Sequence, residues 1–371
     1  MSTVINTNIA ALSAQRALTS TAGQLATSLQ RLTSGLRINS AKDDAAGLAI
    51  VERLTTQVRG YQQAIRNAGD GISVAQTAEG GLDSVMLSLQ RMRELAVQSA
   101  NFTNTTEDRQ AIQKEVDQML AEIERVAGQT KFNGQALLDG TFNGSTFQVG
   151  ANVGETIQID GVLSAKTDKI GEISDKSGIA VAAAGGKTLT VGTTTHALTK
   201  TAVKDVVQEI NALGVAGLYA YVDPSDSNKL GLAYSDPDPS NPSAVSFDDD
   251  GAGAGAAVLI TAAANDKFAK TLNMENIAGA NKAILSIDKA ISEVSSSRAR
   301  LGATINRFEQ TISNLRITVE NQTASRSRIQ DADFAQETAA MTRAQILQQS
   351  GMSVLAQANS IPQNVLSLLR Q

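Results

Sequence analysis

Apolar residues recur in alternating steps of three and four toward both ends of the chain. One row runs Ile284, Ile287, Ile291, Val294, Leu301, Ile305, Phe308, Ile312, Leu315 and Val319, with Arg298 as its one polar interruption. A second row answers it: Val51, Leu54, Val58, Tyr61, Ile65, Ala68, Ile72, Ala75, Leu82, Met86 and Leu89, interrupted at Glu79. Steps averaging 3.5 residues keep one stripe of a helix turned toward a partner helix, so the spacing predicts long paired helices. A shorter run, Ile112, Val116, Met119, Ile123 and Val126, predicts a third helix.

Local signals set the ends of these helices. Ser40 with Asp43 resembles a capping box, and Asp43 and Asp44 suit the first turn. Thr105 and Thr106 precede Glu107 and Asp108 in the same manner, and Gly128 is a C-terminal stop signal. A helix from about 41 to 100 would be roughly 90 Å long at ~1.5 Å per residue. Gly69, Gly71, Gly80 and Gly81 cost helix stability and mark where that helix could bend.

Each extreme end carries a further stripe. The first is Ala11, Ala14, Leu18, Ala22, Leu25, Leu29, Leu32 and Leu36; the second, looser, is Ile346, Leu347, Val354, Leu355, Ile361, Val365, Leu366, Leu368 and Leu369. Both segments are rich in Gln, Ser and Asn and poor in charge, a surface that can pack against copies of itself.

The middle has a different texture. Asn133-Gly134, Asp139-Gly140, Asn143-Gly144 and Asp160-Gly161 are turn signals between short β-type runs such as Ser145 to Val149 and Thr156 to Ile159. A helix from Ala202 to Leu213 is expected between strands at Thr188 to Val191 and Leu218 to Val222. Four of the five prolines fall between Pro224 and Pro242, and Asp248 to Gly255 reads as a flexible loop. The chain therefore reads as mainly α: a long antiparallel coiled-coil helical rod with a β-hairpin and a small α+β inserted outer domain. The expected division is 1–40 with 335–371, 41–165 with 270–334, and 166–269 as the insert.

Composition narrows the chemistry. The 371 residues carry a formal net charge of -5, which gives no basic footprint for nucleic acid. There is no cysteine, so disulfide frameworks and thiolate metal sites are excluded. The N-terminus lacks the basic and apolar regions of a cleaved signal, and no apolar run approaches the ~20 residues of a membrane span. The single histidine, His196, cannot form a two-histidine zinc site and is expected on a surface or turn. Gly251 to Gly255 lacks the strand-loop-helix context and spacing of a dinucleotide loop. Asp248, Asp249 and Asp250 lack the alternating ligands of a calcium loop and read as a solvated tip. Asn101-Phe-Thr103 and Asn321-Gln-Thr323 match a glycosylation pattern within helical blocks, where such matches are discounted. The basic run Arg326 to Arg328 reads as a solvated or inter-subunit face. No cofactor, metal or catalytic group is expected, and a structural or interaction protein is.

Three strings carry a resemblance. LQRLTSGLRINSAKDDAAGLAI (Leu29 to Ile50) is similar to the N-terminal hallmark of bacterial flagellins, and LQRMRELAVQSAN (Leu89 to Asn101) to their rod-helix hallmark. Ser325 to Arg370 resembles the flagellin C-terminus nearly throughout, and KFNGQALLDG within 131–160 resembles the hairpin that closes the rod. The likeness covers about 1–160 and 275–371; the middle shows only a faint similarity to an insert of some flagellins, around GTTTHALTKTAVKDVVQEINA.

The resemblance implies a structural subunit that self-assembles into the extracellular filament. It also implies export as an unfolded chain without a cleaved signal. Implied partners are identical subunits, an export chaperone, the filament cap and hook-junction proteins, with no nucleic acid and no membrane. The helical stripes then assign filament-core packing to Leu18, Leu25, Leu29, Leu32, Leu36, Ile346, Leu355, Val365 and Leu368. The family is also sensed by the vertebrate Toll-like flagellin receptor, and its contacting residues correspond to Arg91, Leu95 and Glu115. Arg91 and Leu95 lie four apart on one helix; as rod-surface residues all three would also be buried between subunits. Three other readings stay open: a hook-filament junction protein, a filament with a catalytic insert, and an adhesin.

Overall fold

Helix ends in a computed structural model of the chain follow the local signals. It describes residues 7–142, 144–181, 187–191, 194–223, 226–235, 245–248, 258–260, 265–266 and 272–368. The first helix, α1, spans Ile9–Ser34. Asn8 caps it by accepting from the Ala11 amide at 3.0 Å. Gly35, in the left-handed region at φ 70°, ends it and donates its N–H to the Arg31 carbonyl at 2.8 Å.

The long second helix, α2, spans Ala45–Ser99. The Asp43 carboxylate accepts from Ser40 N and Ser40 Oγ, and Asp44 Oδ1 accepts from Gly47 N at 2.8 Å. The Ser40–Asp43 box thus closes the turn before the helix, and Asp44 serves its first turn. Those bonds hold the Asp43 carboxyl below its ordinary pKa, the Ser40 amide most strongly. The glycines do not break α2. A Cβ on Gly71 would lie 2.7 Å from the Phe308 ring, and one on Gly81 would meet Leu138 and Thr130 at 2.7 Å. At these two positions glycine permits close approach of a neighbour.

Helix α3 spans Thr106–Gln129 and opens with a complete capping box between Thr105 and Asp108. It passes Gly128 and stops one residue later. Asn133 (φ 48°) and Gly134 (φ 82°) turn the two short strands β1 (Lys131–Phe132) and β2 (Gln135–Ala136) back on each other. A second hairpin pairs β3 (Ser145–Gln148) with β4 (Thr156–Ile159). The last two helices are α5 (Ile277–Gln330) and α6 (Phe334–Leu368).

The insert is a layered α+β element. Its strands are β5 (Ile173–Ala180), β6 (Lys187–Val191), β7 (Thr194–Leu198), β8 (Leu218–Val222), β9 (Lys229–Tyr234), β10 (Val245–Asp248), β11 (Val258–Ile260) and β12 (Asn265–Asp266), with α4 at Val203–Ala212. Two antiparallel sheets have the orders β11-β10-β6-β7 and β12-β5-β9-β8. Leu189, Leu198, Val206, Ile210, Leu230, Leu232, Val245 and Phe247 make one core between them and α4. Three expected elements, at 188–191, 202–213 and 218–222, are present. His196 lies half-buried on β7 opposite Leu189, in a strand rather than a turn. Asp249 to Gly255 and the prolines at 224, 237, 239 and 242 lie outside the described residues.

The chain divides into two compact units, Met1–Arg66 with Val149–Glu155 and Ile312–Gln371, and Asn67–Gln148 with Thr156–Thr311. In the second, α2, α3 and α5 bury a large-residue core that includes Leu82, Leu89, Met92, Val116, Ile123, Ile287, Val294, Leu301 and Phe308. Phe308 meets Phe147 edge-on at 5.7 Å. The two polar interruptions of the heptad rows meet each other: Arg298 lies 3.0 Å from Asp83 and 3.8 Å from Glu79. In the first unit, Val51, Val58, Ala64 and Leu315 are buried, and Gln322 lies 3.2 Å from Gln57.

Candidate functional site: the faces of the terminal helices

α1 and α6 pack antiparallel, and three contacts fix their register. Asn8 Nδ2 donates to the Ala358 carbonyl at 2.8 Å. Gly351 sits over Leu18, where a Cβ would come within 2.8 Å of Cδ2. Arg31 Nη1 pairs with Glu337 Oε1 at 2.9 Å. A strict seven-residue repeat lies at the seam: Ala11, Ala14, Leu18, Thr21, Leu25, Ser28 and Leu32 on α1, and Glu337, Met341, Ala344, Gln348, Gly351, Leu355 and Ala358 on α6. Most of these side chains are small or polar, so the seam is narrow.

Leu18, Leu25, Leu32, Met341 and Leu355 are its large apolar members, and further large apolar side chains stand outside it. Ile9, Leu12 and Leu29 are exposed on α1; Phe334, Ile346, Leu347, Met352 and Val354 are exposed on α6. Phe334 keeps 72% of its surface and Ile346 58%. Phe334, Thr338, Thr342, Ile346 and Leu347, spaced along one face of α6, line an open groove of about 730 Å³.

The assigned packing residues therefore fall into distinct places. Leu18, Leu25, Leu32 and Leu355 lie in the α1–α6 seam. Leu29, 44% exposed, and Ile346 point away from it. Following leucines leads from Leu25 to Leu29, whereas the repeat leads from Leu25 to Ser28. Leu36 is not on the helix at all: α1 has ended at Gly35, and Leu36 forms a β-bridge with Asp331. Around it, Arg37 N donates to Gln330 O at 2.7 Å and Ala332 N to Gly35 O at 2.9 Å, tying the two chain segments together. The side chains of Val365 and Leu368 lie outside the described residues. Of the outward side chains on α6, Ile346, Leu347 and Val354 belong to the stripe read from the sequence, whereas Phe334 and Met352 were not read from it.

In the other unit Arg91 bridges two helices. It donates to Glu94 Oε2 at 3.0 Å and to Glu115 Oε1 at 3.0 Å, and these two carboxylates raise its already high pKa. Leu95, one turn on, is only 2% exposed and packs into the core beneath this pair. Arg91 and Glu115 thus present a surface, and Leu95 supports it from inside. Asn101 to Thr103 lies in the loop between α2 and α3, not in a helix, and the Asn101 side chain accepts from the Thr103 amide at 3.2 Å. Asn321 is within α5. Among the described residues no helix is long and apolar enough to cross a membrane, and no His/Cys/Asp/Glu group could hold a metal ion.

The arrangement suits association rather than chemistry, and its relatives agree. Residues 5–143 match the model of the bacterial flagellin N-terminal helical region, and residues 284–369 that of the C-terminal helical region. Flagellin B of Vibrio cholerae serotype O1 is 42% identical over 376 aligned positions, covering 98% of this chain and 99% of that protein. Flagellin A of Vibrio anguillarum is 41% identical over the full length of both. The alignments run through the middle as well as the ends, so the similarity extends beyond the 1–160 and 275–371 read from the motifs. FliC from Burkholderia pseudomallei, a solved structure, is 26% identical with a TM-score of 0.38, over 64% of this chain and 99% of that one. The chain belongs to the bacterial flagellin family, whose members are structural subunits of the flagellar filament and not enzymes.

Proposed function

We propose that this chain builds its filament through α1 and α6, with 1–40 and 335–371 as the core domain. In this reading 41–165 and 270–334 form the surrounding rod, and 166–269 the outer domain. The observation that carries it is the set of large apolar side chains left outside the terminal pair, Ile9, Leu29, Phe334 and Ile346, although its seam already holds Leu18, Leu25, Leu32 and Leu355 among small and polar residues. Exposed apolar side chains on adjoining faces gain about 25 cal/mol per Å² when a neighbouring subunit covers them. The subunit is exported unfolded through the growing structure with chaperone help, joins under the cap beyond the hook-junction proteins, and resides outside the cell. The test is Leu29→Asp or Ile346→Asp. Either leaves the monomer's circular dichroism unchanged and abolishes filaments under the electron microscope; filaments of normal length from both variants would remove these faces from assembly.

We further propose that the soluble monomer is sensed by the vertebrate Toll-like flagellin receptor through Arg91 and Glu115, with Leu95 holding their helices in place. The exposed pair and the buried leucine support this division. Arg91→Ala then weakens receptor signalling with unchanged thermal stability, whereas Leu95→Ala weakens it while lowering stability. An unaltered dose-response for Arg91→Ala excludes this surface.

A further inference from the structure

In the sheet β12-β5-β9-β8, strands β8 and β9 carry apolar side chains on both faces. Along β8, Leu218 and Ala220 face the core of the insert, while Tyr219 and Tyr221 face the other way. Along β9, Leu230, Leu232 and Tyr234 face the insert core and Ala233 does not. This second face meets α5: Ile173, Tyr221 and Ala233 are buried, with Tyr219, Ala278 and Leu285 packed around them. Gly231 belongs to the same design, because any Cβ there would collide with the Tyr221 ring.

A polar cluster adds direction to this contact. Asp175 on β5 takes a hydrogen bond from Tyr221 Oη at 2.7 Å and pairs with Lys282 Nζ on α5 at 2.9 Å. The Lys282 ammonium also lies 4.5 Å from the centre of the Tyr221 ring. Asn281 Nδ2 donates to Tyr219 Oη at 2.9 Å, and the two tyrosine rings stack at 6.2 Å. The Asp175 side chain is only 8% exposed, so losing Lys282 leaves a buried charge without its partner. Further along α5, Gly171 is held on both sides: Ser286 Oγ donates to its carbonyl at 2.5 Å and Glu293 accepts from its amide at 2.9 Å.

We infer that Asp175, Lys282 and the Tyr219–Tyr221 pair form an orienting clamp that fixes the insert on α5 as one rigid body. The insert's own core lies on the opposite face of the sheet, so the clamp sets orientation and not the fold of the insert. Lys282 and Asp175 are positioning residues, and through them the outer domain takes one attitude on every subunit.

The chain has no cysteine, so two spin labels can be placed without background. Labels on Gln208→Cys in α4 and Ser292→Cys in α5 of the full-length monomer report the distance between insert and helix by double electron–electron resonance. The parent gives a single narrow distance peak. Lys282→Met, which keeps the stem against Tyr221 and removes the charge, loses that peak to a broad distribution, while α4 amides keep their protection from hydrogen exchange. Tyr219→Phe, lacking only a hydroxyl, broadens it less. A broad distribution in the parent overturns the inference, as does a peak equally narrow in Lys282→Met. Loss of α4 protection in Lys282→Met also overturns it, because Lys282 would then be holding the fold.

Discussion

The two helical interfaces of this chain are built on the same heptad grammar with opposite contents. The α2–α3–α5 core buries Leu82, Leu89, Met92, Ile287, Leu301 and Phe308, while the α1–α6 seam half-buries Leu18, Leu25, Leu32 and Leu355 and fills its other positions largely with small or polar residues such as Ala11, Ala14, Ser28, Gly351 and Ala358. In the first, the apolar heptad rows are turned inside, and Leu87 and Val97 are among the few large apolar residues left exposed. In the second, Ile9, Leu12, Phe334, Ile346 and Met352 remain on the outside. A helix pair held by a narrow stripe recovers little of the ~1–2 kcal/mol per residue that ordering its backbone costs. The first interface is therefore a finished core, and in the proposed assembly the second is half of one that another copy completes.

Hydrogen exchange gives the sharpest separation. Amides of residues 9–34 and 334–360 exchange nearly as free chain in dilute monomer, while those of 82–96 are protected. In filaments the terminal amides rise toward the ~10³–10⁸ opening equilibria of folded domains. Equal protection of both regions in dilute monomer would erase the contrast, since the ends would then be folded before assembly.

Single substitutions should show the same asymmetry in free energy. Phe308→Ala empties a fully buried site beneath Gly71 and beside Phe147, and such truncations cost about 3–5 kcal/mol. Ile346→Ala removes a mostly exposed side chain and changes monomer stability by about 0.5 kcal/mol or less. Chemical denaturation of the two variants checks the difference. Comparable losses would mean that the outer face of α6 is already covered in the monomer.

These contrasts also show what sequence carries. The long rows of Ile, Val and Leu are redundant, so the loss of one position at Glu79 or Arg298 does not hide the period of α2 or α5. The pairing of those two interruptions was not legible, because each row alone shows only a defect. The terminal seam was legible only in part: Leu18, Leu25, Leu32 and Leu355 lie in it, but its other positions are largely Ala, Thr, Ser, Gln and Gly, so a reading by leucines takes Leu29 in place of Ser28. Within the insert, β8 was legible as a strand, yet its two working faces appear only when Tyr219 and Tyr221 are placed against α5. Strands such as β5, β9 and β12 are set by partners distant in sequence, which local propensity does not report. Spacing from Arg91 places Leu95 on the same helix face, yet its side chain is buried in the core, which spacing alone does not report.

Removing both heptad interruptions at once should cost little. Arg298 is about one-third exposed, so solvent weakens its pairs with Asp83 and Glu79 to within about 1 kcal/mol. Arg298→Leu alone leaves Glu79 beside an apolar row and is the more harmful change. Glu79→Leu with Arg298→Leu restores the row and matches or exceeds the parent in denaturation midpoint. A double variant less stable than Arg298→Leu alone would show that the charges contribute more than register.

The smallest effect expected lies at Glu293, where α5 meets the segment leading into the insert. Its carboxylate is partly buried and accepts from Gly171 N at 2.9 Å. Burial is the main reason its pKa is raised above the ordinary glutamate value; the Gly171 hydrogen bond and Lys289 oppose the shift, and Glu172 adds to it. The folded protein therefore holds this proton more tightly than the unfolded chain does. The group favours folding as pH falls through its folded pKa and opposes it once pH has risen above that value. Glu293→Gln keeps an oxygen for the Gly171 amide and removes the charge. Its melting temperature should exceed the parent's at about pH 7, with the gap closing toward the ordinary glutamate pKa of about 4.3 and below, where the parent is neutral too. Carboxylates such as Asp43 and Asp108, whose pKa values are lowered by their capping bonds, weaken both proteins alike in acid and cancel in the comparison. A gap that stays constant from about pH 7 to about pH 4 would assign the effect to shape rather than charge. A gap of the opposite sign at neutral pH would mean that Lys289 and the Gly171 amide outweigh the burial.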